Sequence, residues 1–147
     1  MPVLELTTLI PNRTPEFVLD FCLEGLSFPK IFPERVTLLS DLDLSNLRIE
    51  AGRQLRFCHW MFNLIPANWT VVIREVGDHH FIDEMLKGPM AEYRHEHRVE
   101  AAQGGTLYTD RVTYKVIGGA LVEWLLVNGY MRRVFAARHR NMLKLLG

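Results

Sequence analysis

Residues 91–115, AEYRHEHRVEAAQGGTLYTDRVTYK, decide the fold. In the first half Tyr93, His95, His97 and Val99 alternate with Glu92, Arg94, Glu96, Arg98 and Glu100. A strand points successive side chains to opposite faces, so one face here is wholly charged and the other carries a tyrosine, two histidines and a valine. That inner face is not plain aliphatic core and reads as the wall of a cavity. Gln103-Gly104-Gly105 is a turn signal, after which Tyr108, Asp110, Val112, Tyr114 and Val116 share one face of a second strand. A hairpin closed with Ala102 facing Gly105 sets Glu96 against Arg111 and Glu92 against Lys115 outside. Inside, it sets Tyr93 against Tyr114, His95 against Val112 and His97 against Asp110. Directly opposed Cβ atoms lie about 4.5–5.5 Å apart, which predicts a His97–Asp110 hydrogen bond. A slip of one residue would turn the charged face inward, so the pattern also fixes the register.

Upstream, Val3–Ile10 reads as a strand, and Thr14 as an N-cap with Pro15 at the first helical position. Phe17, Val18, Phe21 and Cys22 then have helical spacing. Pro29–Pro33 is a second short helical turn or a loop, Val36–Ser40 is extended, Asp41–Asn46 is turn-prone, and Leu47–Glu50 is ambiguous. Gln54–Phe62, Trp69–Val76 and Phe81–Leu86 are strand candidates, with Gly88-Pro89 a break before the hairpin. Both faces of Gln54–Phe62 look apolar, which leaves its orientation open and makes a homodimer possible. After Gly118-Gly119 the pattern becomes helical and runs to Leu146, with Leu121, Leu125, Val134, Phe135, Met142 and Leu145 as its apolar stripe. Arg132, Arg133, Arg138, Arg140 and Lys144 take the other positions and read as a solvated face. This order predicts an α+β fold: a curved antiparallel sheet wrapped around a long C-terminal helix, with two short helices after the first strand.

The chain has 147 residues, the length of one domain, so residues 1–147 are read as a single unit. Lys plus Arg and Asp plus Glu both number 17, which gives no electrostatic reason to expect nucleic acid or an anionic membrane as partner. Cys22 and Cys58 have no metal-ligand spacing and no disulfide pattern, so two reduced thiols in a cytoplasmic protein are expected. No apolar run reaches membrane-spanning length, and no insertion into a membrane is expected.

The PERVTLLSDLD stretch from Pro33, Phe81 with Asp83, Gly88-Pro89, Tyr93 with His95 and His97, Gly105-Thr106, Asp110 with Val112 and Tyr114, and Phe135 with Arg138 and His139 together resemble the SRPBCC, or START-like, superfamily. More narrowly they are similar to a bacterial group of stand-alone ligand-binding or polyketide cyclase-like domains. Tyr93 stands where that group has tryptophan, and Met90 where it has phenylalanine. The resemblance covers nearly the whole chain. It implies the helix-grip fold and a cavity for an apolar or amphipathic small molecule.

The candidate ligand-binding residues are Phe57, His59, Met61, Trp69, Ile73, Tyr93, His95, His97, Tyr108, Asp110 and Tyr114. The leading expectation is a carrier or sensor. One alternative is a cyclase, dehydratase or isomerase in which His97, oriented by Asp110, removes a proton while His95 or a tyrosine steadies the oxyanion. Another is a protein-interaction module with a closed cavity. Cys58 lacks an activating histidine on its own face, which disfavours covalent catalysis. His95, His97 and His59 would supply imidazoles to a metal, and Glu84 a carboxylate. A spacing of two along one strand does not by itself define a coordination set, and no metal or other cofactor is expected.

Overall fold

The computed structural model describes residues 3–39 and 47–147. The expected turn at Asp41–Asn46 lies outside them. Strand β1 (Val3–Pro11) leads through Thr14, whose hydroxyl accepts from the Phe17 amide, into α1 (Pro15–Leu23). Helix α2 (Ser27–Ile31) follows, then β2 (Val36–Leu38), β3 (Gln54–Met61), β4 (Ile65–Val76), β5 (His80–Lys87), β6 (Glu92–Ala102) and β7 (Gly105–Lys115). The C-terminal segment starts as a short α3 (Ala120–Val122), passes a π-helical turn at Glu123–Val127, and runs on as α4 (Asn128–Leu146). Among the described residues, seven strands form one antiparallel sheet in the order β1-β7-β6-β5-β4-β3-β2. Helices α1 and α4 pack on its inner face.

The β6–β7 register is the one read from the sequence, with Ala102 opposite Gly105, His95 opposite Val112 and His97 opposite Asp110. The outer charges find other partners: Arg111 reaches Glu5 on β1 at 3.3 Å, and Glu96 takes Arg98 of its own strand. Gly105 has a packing reason beyond the turn, since a Cβ there would meet the Ile10 carbonyl oxygen at 2.1 Å. Strand β3 turns Leu55, Phe57 and His59 inward, and its outer face is partly covered by Arg35, whose guanidinium lies 4.8 Å from the Trp60 ring. Strand β4 begins at Ile65, four residues before the expected start, because the β3–β4 turn is tight. Phe62 and Asn63 hold φ of 55° and 58° there, a region sparsely used by non-glycine residues.

The helical stripe was only partly legible. Met131, Val134, Phe135, Arg138, His139, Met142 and Leu146 form the buried face of α4, so Arg138 belongs to the interior and not to the solvated face expected for it. Leu121 and Leu125 are 66% and 60% exposed, and Leu145 is also in solvent. A π turn inserts one extra residue into the helical repeat and shifts every position before it relative to the face after it. The far end of α4 is tied down by Arg13, which donates to the Leu146 carbonyl at 2.7 Å.

Candidate functional site

Between the sheet and α4 lies a cavity of about 440 Å³ with an overwhelmingly apolar wall. Its volume falls in the range of about 300–1,000 Å³ typical of small-molecule sites. Phe57 and Trp69 stack with ring centres 6.0 Å apart, and Tyr93 meets the Trp69 ring edge-on at 5.0 Å, building an aromatic floor. Phe57, His59, Met61, Trp69, Ile73, Tyr93, His95 and His97 all line this space. Tyr108, Asp110 and Tyr114 do not. Tyr114 packs with Val112, Met131 and Phe135, and its hydroxyl is taken by Asn128 of α4.

Tyr108 and Asp110 stand behind the histidines and organise them. Asp110, 1% exposed, accepts from His95 Nε2 at 2.6 Å, Tyr108 Oη at 2.7 Å, His139 Nε2 at 2.8 Å and Arg138 Nε at 3.2 Å. Burial would raise its pKa, but the Arg138 charge first, and then the histidines, hold it well below the ordinary carboxylate value. The second shift is the reverse: burial, then the neighbouring His95, bring His97 down to about 4 against the pull of Asp83. The expected His97–Asp110 hydrogen bond is replaced. His97 Nδ1 lies 3.6 Å from the Asp110 carboxylate, while its Nε2 bonds Asp83 Oδ2 at 2.7 Å. Residues opposed on neighbouring strands share a face, but these long side chains lean along the strands, so Asp110 takes His95 and His97 takes Asp83 from β5.

Arg138, also buried, bonds Asp110 and donates to Tyr108 Oη at 3.1 Å. His139 links Asp110 to Thr8 of β1, its Nδ1 lying 2.7 Å from the Thr8 hydroxyl. Neither residue was assigned to the site from sequence. Both follow Phe135 by helical steps of three and four, a spacing that would have placed them inside had it been weighed above their polarity.

A second polar cluster sits at another part of the wall. Glu34 takes His59 Nε2 at 2.7 Å, the Phe62 amide at 2.7 Å and the Tyr130 hydroxyl. Burial opposes its ionisation, but the hydrogen bonds from Tyr130 and His59 lower its pKa all the same. His59 therefore serves this cluster and does not join His95 and His97. Glu84, the carboxylate expected beside them, faces outward to Arg74 at 3.2 Å. Two buried polar atoms of cavity-lining residues, Trp69 Nε1 and Ser27 Oγ, have no hydrogen-bond partner among the described residues. Cys22 also lines the cavity, but burial pushes its thiol up to about 12, which leaves it without nucleophilic character. Leu126 and Phe62 belong to both the wall and the surface, being 70% and 54% exposed, and mark an apolar rim.

No protein-family model matches the chain, and no curated protein matches it. Solved structures do, over nearly its full length. The KanY protein (ms6282) is 16% identical, with 99% of this chain and 97% of that one covered at a TM-score of 0.76. A START superfamily protein from Mycobacterium smegmatis is 9% identical, with 98% and 96% covered at 0.70. Ara h 8.0201 is 12% identical, with 99% and 97% covered at 0.70.

Proposed function

We propose that this chain, which has the START-like helix-grip fold, binds an apolar or amphipathic small molecule in the space between its sheet and α4. The observation that carries the reading is the cavity itself: an aromatic and aliphatic wall with a polar pole at Asp83, His95, His97 and Arg138. Apolar burial supplies affinity in such a site, and a few convergent polar groups fix orientation. The occupant inferred is therefore a largely apolar molecule with a polar group able to meet that pole.

Binding is favoured over acid–base turnover by His97. A general base works best with a pKa near the operating pH, and this imidazole is held at about 4. Its partner Asp83 is ionised and already committed to it.

Titrating 2-naphthol into the ¹⁵N-labelled protein tests the proposal. Saturable shifts centred on the Trp69 indole N–H and on the Ile73 and Val134 amides are expected. Shifts spread over the exposed Trp124 and Leu125 region, with Trp69 unmoved, would refute it.

A further inference from the structure

The Asp83–His95–His97 group has a geometry that ligand binding by the apolar wall does not use. Asp83 Oδ2 lies 2.7 Å from His97 Nε2 and 3.8 Å from His95 Nδ1, and one ligand atom from each residue falls within 4.8 Å of the other two. Bonds of about 2.0–2.2 Å to one ion place neighbouring donors roughly 3–3.5 Å apart, so small movements bring these three around a common centre. All three residues line the cavity.

The far nitrogens of both rings are held from behind by one buried carboxylate. His95 Nε2 bonds Asp110 Oδ1 directly at 2.6 Å. His97 Nδ1 lies 3.2 Å from Tyr108 Oη, which itself donates to Asp110 Oδ1 at 2.7 Å. Outer partners of this kind fix the ring orientation of metal-bound histidines and raise their basicity. With an ion on Nε2, the His97 proton resides on Nδ1, where the Tyr108 oxygen accepts it. Arg138 Nη2 is 3.3 Å from that nitrogen and keeps its bond to Tyr108, while its Nε keeps Asp110.

Charge points the same way. Of the two carboxylates in the cluster, buried Asp110 is bonded by the Arg138 guanidinium, whereas Asp83, 15% exposed, has only the imidazoles of His95 and His97 within ion-pair reach among the described residues.

We propose that Asp83, His95 and His97 form a binding site for one divalent first-row transition ion, with open coordination positions on the cavity side. Two imidazoles and one carboxylate suit Zn²⁺, Fe²⁺ or Co²⁺ better than Mg²⁺ or Ca²⁺, which prefer all-oxygen sites. The open positions would take water or an oxygen of the cavity's occupant.

The test uses the metal alone, so its outcome is independent of whether the cavity takes an organic ligand. Metal-stripped protein is titrated calorimetrically with Zn²⁺ and, separately, Co²⁺ at neutral pH, and the zinc form is examined by X-ray absorption. One ion per chain is expected, with two imidazoles and a carboxylate in its coordination shell. Asp83→Asn should weaken binding by about tenfold or more, as loss of a ligand or its support does. A His79→Ala/His80→Ala double variant, which removes a histidine pair remote from the cavity, should bind as before. Should Asp83→Asn not fold, the absorption spectrum of the unmodified protein decides alone. Absence of stoichiometric binding, a shell without two imidazoles, or binding that disappears with His79 and His80 would overturn the proposal.

Discussion

Arg138 is where sequence and structure disagree most sharply on a magnitude. On a solvated helix face its replacement would shift stability by no more than about 0.5 kcal/mol. In the structure the side chain is 5% exposed and bonds Asp110 and Tyr108. Arg138→Met preserves the stem and removes the charge, leaving Asp110 ionised in the interior with only neutral-capable donors from His95, Tyr108 and His139. Breaking a buried pair from one side costs about 3–5 kcal/mol, and Asp110→Asn, which strands the guanidinium, should cost a similar amount. The double variant strands neither charge. Its loss should therefore fall short of the sum of the two single losses by about 2 kcal/mol or more, within the range seen for residues in one network. Urea unfolding of all four proteins in EDTA, followed by far-ultraviolet circular dichroism, gives the cycle. Single losses below about 0.5 kcal/mol, or losses that add within that margin, would refute the buried-network reasoning.

Gly105→Ala should destabilise by about 1–3 kcal/mol through the clash with the Ile10 carbonyl, and hydrogen exchange should show the loss concentrated in the β1–β7 pairing. Uniform loss across the sheet would contradict that assignment. Glu34 has a folded pKa below its ordinary 4.5, so the folded state holds fewer protons than the unfolded chain as acid is added. Its contribution is present above about pH 4.5 and is lost as pH falls through the folded value. Glu34→Gln should therefore flatten the acid side of the stability-versus-pH curve, and an unchanged acid limb would show that the His59–Glu34–Tyr130 cluster does not stabilise the fold.

The hairpin was legible because alternation, opposed charges and a glycine turn all demanded one register, and a sheet tolerates no half-step. The same logic exposed His95 and His97 as inward residues. What alternation does not encode is lean along the strand, which decided that Asp83 and not Asp110 would hold His97. Arg138 was misplaced for a different reason. Hydropathy treats every arginine as a surface residue, whereas this one fills a core position beside Val134, Phe135 and Met142 because a buried aspartate needs it. The Glu34 cluster was invisible because it joins a loop, a strand and a helix that no local period relates. The inserted π turn similarly defeats any single helical phase drawn through Leu121 and Phe135.

Filling the cavity tests the central claim most directly. Val134, 6% exposed, lines it from α4, and Val134→Trp would place an indole in the space while leaving the polar pole intact. Native mass spectrometry of the freshly purified protein and of this variant, each shown to be folded by its near-ultraviolet spectrum, should find a small molecule retained, or 2-naphthol taken up one per chain, by the former only. Equal uptake by both proteins would contradict binding between the sheet and α4.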